Sequence, residues 1–147
     1  MVAGSARARD AERGPRLHVS LPTEPTAPRI GRRSVQVIES FADSAVVDDV
    51  KLLVSELVTN SVKHATVPGG GRIDLVVEVL EDSVLVSVRD PGMGFEHRPR
   101  DRRNRRSGWG LYLVDEISDR WGIERVADGG TTVWFEMGRH SAAASAG

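Results

Sequence analysis

Through the middle of the chain, apolar residues recur every three or four positions: Val50, Leu53, Val54, Leu57, Val58, Val62 and Ala65. On a backbone with 3.6 residues per turn these side chains form one stripe, so the pattern predicts an amphipathic helix over Val46 to Ala65 that packs on something. Pro68 and the three glycines Gly69 to Gly71 stop it. The period then changes to two. Ile73, Leu75, Val77 and Val79 alternate with other residues, a Glu81-Asp82-Ser83 turn follows, and Val84, Val86 and Val88 alternate again. This is the pattern of a two-stranded antiparallel hairpin. Upstream, Leu17 to Leu21 alternates as a short strand. Pro22, Pro25 and Pro28 then break the chain before Ile30 to Phe41, which reads as a helix. Downstream, Leu113, Val114 and Ile117 share one face of a predicted helix from Gly110 to about Arg120. Two last strands, Gly122 to Val126 and Thr131 to Met137, flank a Gly129-Gly130 turn. Strand, helix, helix, two strands, helix, two strands predicts an antiparallel or mixed sheet covered by helices on one face, a two-layer α/β sandwich.

Composition narrows the setting. A chain of 147 residues suits a single domain. Its ends are poor in large apolar residues, so 1–15 and 139–147 are expected to be disordered tails around a domain at 16–138. Twenty basic residues against 21 acidic ones give a net charge of -1, which supplies no global attraction to nucleic acid or to an anionic membrane. The absence of cysteine excludes disulfides, thiolate catalysis and thiolate zinc sites. With no signal peptide and no apolar run long enough to span a bilayer, the expected location is the cytoplasm.

Three groups of residues can carry chemistry. Glu56, Asn60 and His64 are four residues apart, so they share one helix face at the edge of the apolar stripe. A carboxylate and an amide one turn apart suit a magnesium site and a general base, although the same spacing also describes a solvated flank, and His64 alone suits a cap or a packing role. In Arg89-Asp90-Pro91-Gly92-Met93-Gly94-Phe95 a strand ends in an aspartate that can accept a base amino group, with glycines that let a ligand approach; Asp-Pro-Gly also makes an ordinary turn. Ser107-Gly108-Trp109-Gly110-Leu111 opens a helix, where free backbone N–H groups and the positive dipole end favour phosphate.

Taken in order, Glu-x-x-x-Asn-x-x-x-His, Asp-x-Gly-x-Gly, Gly-x-Gly-Leu and a final Gly-Thr-Thr-Val resemble the ATP-binding domain of the GHKL superfamily, shared by gyrase, histidine kinases and MutL. Within it, Ser55-Glu56-Leu57-Val58-Thr59-Asn60-Ser61 and Arg106-Ser107-Gly108-Trp109-Gly110 are similar to the anti-sigma-factor serine/threonine kinase branch, which governs sporulation and stress sigma factors. The resemblance spans roughly residues 17 to 138. It implies an α/β sandwich with a mixed, mostly antiparallel sheet.

The resemblance also implies roles. Asn60 would hold magnesium, Glu56 would be the general base toward a substrate hydroxyl, and Asp90 would recognise adenine with Thr131 or Thr132 beside it. Gly92 and Gly94 would shape the base pocket. The stretch Glu96 to Arg106 matches the ATP lid. Ser107, Gly108, Gly110 and Leu111 would form the phosphate-facing turn, with Arg106 reaching the terminal phosphate. The lid departs from the family pattern in being short and carrying six arginines. The implied function is an ATP- and magnesium-dependent kinase of serine or threonine on an anti-anti-sigma-like protein, which sequesters a sigma factor when that partner is unavailable. The alternative is a nucleotide-gated binding module without phosphate transfer. The family's homodimers suggest that the first helix, with Arg29, Arg32, Arg33, Val35, Val37 and Ile38, meets the partner and a twin subunit, although the same pattern describes an amphipathic core helix. Direct contact with nucleic acid or membrane is not expected.

Overall fold

The computed structural model describes residues 14–63, 71–91, 109–125 and 130–140. Within them the period-two pattern becomes the sheet. In β2 (Arg72–Val79) Ile73, Leu75, Val77 and Val79 are buried while Asp74, Val76 and Glu78 are only partly so, and β3 (Ser83–Asp90) repeats this with Val84, Val86, Val88 and Asp90 on the buried side. The tight turn between them is closed by Leu80 N–H donating to the Ser83 carbonyl at 2.8 Å. β1 (Arg16–Pro22) pairs with β2, β5 (Thr131–Gly138) with β3, and β4 (Arg120–Arg125) with β5. The strand order is β1-β2-β3-β5-β4 and every pairing is antiparallel, so the sheet is not mixed among the described residues.

Three helices belong to the described chain: α1 (Ala27–Ser34), continued by one 3-10 turn over Val35–Ile38, α2 (Ser44–Lys63) and α3 (Trp109–Ile117). The stripe of α2 is buried at Val46, Val47, Val50, Leu53, Val54, Leu57 and Val58 against the sheet valines and Phe135. Each such side chain, fully buried, contributes about 1.5–3 kcal/mol. α1 packs on α2 through Gly31, where a Cβ would come within 3.1 Å of Val54 Cγ1; the missing side chain is what lets the helices approach.

Several boundaries differ from the periodic reading. Pro28 does not break the chain before the first helix but sits in its first turn, where the N–H it lacks has no intrahelical partner to lose. That helix tightens to 3-10 and ends at Ile38, leaving Phe41 outside it. α3 stops at Ile117 rather than near Arg120. Ser118 turns its hydroxyl back to the Val114 carbonyl, and Asp119 N–H already bonds Glu136 O at 3.0 Å, so Arg120 opens β4.

The ends of the domain are tied in. Arg139 donates from Nε to Phe41 O at 2.6 Å and from Nη1 to Glu81 O at 2.7 Å, which fixes the start of α2 to the β2–β3 turn. Ordered contacts extend to Gly14, whose N–H bonds Val79 O at 2.8 Å, and to His140, 3.2 Å from Asp43 Oδ1, past the expected limits of 16 and 138. The sheet face away from the helices carries the ion pairs Arg16–Glu78 at 2.8 Å and Arg120–Glu136 at 2.7 Å. Trp134 lies there over Gly122, whose missing Cβ would stand 2.8 Å from the indole nitrogen. No helix among the described residues is long and apolar enough to cross a membrane.

Candidate functional site

The buried stripe of α2 widens toward its C-terminal end, and there it takes in polar residues. Asn60 is 5% exposed and Ser61 3%, while Glu56, one turn earlier on the same flank, is half-buried. The Asn60 side-chain nitrogen Nδ2 has no hydrogen-bond partner among the described residues. Burying an amide in that state costs about 1–3 kcal/mol unless something else completes its bonding.

β3 delivers the second element. Because its even-numbered residues face the helices, alternation carries the pattern Val84, Val86, Val88 to Asp90, which is 3% exposed with Oδ2 shut away from solvent. The strand pairing sets Thr131 directly opposite Asp90, and Thr131 is itself only 4% exposed. Thr132 pairs with Arg89 on the other face of the sheet. The structure thus separates the two threonines and brings Thr131, not Thr132, to Asp90. α2 packs across β3 and β5, so the polar end of its stripe and this pair belong to the same interlayer space.

Gly110 lies in the first turn of α3, and Leu111 is half-buried against the core. α3 also packs on α2. His64, Gly92, Gly94, the stretch 96–106 with Arg106, Ser107 and Gly108 lie outside the described residues.

One acidic residue was passed over in the sequence reading. Asp49 stands seven positions before Glu56, two helical turns along the same flank, a spacing visible in the sequence. Burial raises its carboxyl above the ordinary value of 3.8, and the neighbouring charge of Asp48 adds to the shift. A carboxyl whose folded pKa is raised binds more protons folded than unfolded, so its contribution is fully present at low pH and is lost as pH rises through the folded value. Asp49→Asn removes that penalty. Its melting temperature should exceed wild type at neutral pH, with the gain shrinking as pH falls toward 3.8; a gain independent of pH in melts across that range would contradict the assignment.

The model of the histidine kinase-like ATPase domain matches residues 21–137, from the last residues of β1 through Met137 of β5. The chain belongs to the histidine kinase-like ATPase family. Among other members, it is 31% identical over 119 residues to the serine-protein kinase RsbW of Listeria innocua, covering 71% of this chain and 76% of that one. It is 33% identical over 87 residues to RsbW of Staphylococcus aureus, covering 50% and 55%. Within the ATPase family it therefore stands with the RsbW serine-protein kinases. Solved structures share its fold, two of them as follows. The RsbU and RsbW domains of a Mycobacterium tuberculosis protein superpose with a TM-score of 0.65 at 24% identity, over 84% of this chain and 32% of that one. The SiaB–SiaC complex of Pseudomonas aeruginosa gives 0.57 at 13% identity, over 94% and 97%. At these identities the ATPase-family sandwich is what they share.

Proposed function

We propose that this ATPase-family chain transfers the terminal phosphate of ATP to a serine or threonine of an anti-anti-sigma-like protein, with Glu56 as base and Asn60 as magnesium ligand. The observation that carries the proposal is the buried Asn60 side chain, whose Nδ2 has no hydrogen-bond partner among the described residues, one turn from the half-buried Glu56 carboxylate. The two ends of an asparagine amide interchange by a half-turn, so Asn60 can present its oxygen to a hard cation, which takes oxygen ligands. That donor fits magnesium. When bound, the ion would supply positive charge beside the phosphates.

The chain's own groups account for the rest. Asp90 accepts a hydrogen bond from the exocyclic amino group of adenine, with the Thr131 hydroxyl beside it. Gly110, in the first turn of α3, offers a backbone N–H where the helix dipole favours phosphate. The partner's hydroxyl oxygen attacks the terminal phosphorus, its proton passes to the Glu56 carboxylate, and the bond to ADP breaks. Such a kinase works where ATP and sigma factors are, in the cytoplasm.

The partner's surface follows from α1. Ile30 and Val37 are each 38% exposed and lie seven residues apart on the outer side, among the exposed Arg29, Arg32 and Arg33, none of which makes an ion pair among the described residues. An apolar stripe edged by unpaired arginines suits an acidic protein surface. Val35 and Ile38, by contrast, are buried in the core. We assign this face to the anti-anti-sigma-like protein; the chain's sigma factor and the second subunit of a homodimer are further partners of the proposed kinase.

Asn60→Ala tests the metal assignment. Wild type should bind ATP at least about tenfold more tightly with magnesium than without, a difference of about 1.4 kcal/mol, and the variant should show one affinity in both conditions by calorimetry. Identical wild-type titrations with and without magnesium would remove the metal from the proposal.

A further inference from the structure

Three residues that the proposed chemistry leaves unused meet at the end of the sheet where Asp90 stands. Thr23 is the first residue after β1, Gly71 the last before β2, and Pro91 the first after β3. The Thr23 hydroxyl donates to the Gly71 carbonyl, one step beyond Pro22↔Arg72, the last β1–β2 pair. Arg72 reinforces this junction, donating from Nε to Ser20 Oγ at 2.6 Å and from Nη2 to Ser20 O at 3.0 Å. On its other side Gly71 faces Pro91. A Cβ built on Gly71 would lie 2.8 Å from Pro91 Cγ and 3.8 Å from Pro91 Cβ, and the first of these is closer than real Cβ atoms come.

The ring of Pro91 cannot turn aside as a flexible side chain would, because it is closed onto its own backbone nitrogen. A side chain at residue 71 therefore presses on the backbone of Pro91, and Asp90 is bonded to it. The β2–β3 ladder does not hold this segment, since its last pair is Asp74↔Arg89 and Pro91 has no N–H to extend it. On the β2 side, this packing of a proline on a bare backbone is one of the contacts that seat Asp90, whose other neighbour in the sheet is Thr131 of β5.

We infer that Gly71, held by Thr23, is a positioning residue that fixes the Asp90 carboxylate and thereby sets the preference for adenine. The inference rests on the reading of Asp90 as the adenine acceptor. Hydrogen-bond energy falls steeply with misalignment, so a backbone shift of a few tenths of an ångström is felt by the ligand group that Asp90 reads.

Calorimetric titration with ATP and with inosine triphosphate, which carries a carbonyl in place of the amino group, tests it. Wild type should prefer ATP by about tenfold or more, and Asp90→Asn should abolish the preference. Gly71→Ala should lower the preference at least about threefold while affinity for inosine triphosphate stays within about twofold of wild type. Removing the ring in Gly71→Ala/Pro91→Ala should restore it, and Thr23→Val should give a smaller loss in the same direction, which keeps the test open should Gly71→Ala not fold. A Gly71→Ala variant that weakens both nucleotides equally, or is not rescued by Pro91→Ala, overturns the inference. If wild type prefers ATP, Asp90→Asn abolishes this, and both Gly71→Ala and Thr23→Val retain it, Gly71 falls and Asp90 stands; if wild type shows no preference, both fall.

Discussion

Asp90→Asn should weaken ATP binding about 10- to 100-fold, because a hydrogen bond to a charged group contributes roughly 1.5–3 kcal/mol and each 1.4 kcal/mol is a factor of ten. The carboxylate is 3% exposed at the end of β3. Shielded from solvent, it can discriminate sharply, since the adenine amino group donates where guanine presents a carbonyl oxygen that a carboxylate repels. Asparagine keeps the size of the side chain, and the backbone pairing with Thr131 does not involve it. The loss should therefore appear in nucleotide affinity, with the melting temperature of the variant as the control for the fold. Calorimetry that finds equal wild-type affinity for ATP and GTP, or an undiminished Asp90→Asn, would contradict the adenine assignment.

The sheet was legible in the sequence because burial on one face imposes a period of two, and β2 and β3 keep that period without interruption from Ile73 to Asp90 apart from their turn. For the same reason the inward direction of Asp90 follows from Val84, Val86 and Val88. The inward direction of Thr131 follows likewise from Val133, Phe135 and Met137, but only the pairing of β5 with β3 sets Thr131 against Asp90. Helix ends were harder. Pro28 breaks a helix interior but suits a first turn, and its own identity does not distinguish the two positions. The depth of Asn60 was also hidden, because the stripe read from apolar residues alone omits Asn60 and Ser61, which packing draws into the interior. Gly71 read as one of three glycines that end a helix; its close approach to Pro91 depends on strands far apart in sequence.

Glu56→Gln should reduce phosphate transfer by about 10²- to 10⁴-fold, the usual contribution of a general base, because glutamine keeps the shape but cannot take the hydroxyl proton. Glu56 is half-buried on the flank of α2. Glutamine keeps the size of the side chain, and the substitution leaves Asn60 and Asp90 in place. Affinity for ATP and for the partner should stay near wild type, so the loss falls on the chemical step rather than on binding. A variant that transfers phosphate at the wild-type rate would leave the kinase without this base.

The most direct test of the account follows labelled terminal phosphate from ATP onto a serine or threonine of the cell's own anti-anti-sigma protein. The account predicts transfer by wild type, and at least a hundredfold less by Glu56→Gln at unchanged ATP affinity. If wild type binds ATP and that protein but transfers no phosphate, the kinase reading is contradicted and a nucleotide-gated binding switch takes its place.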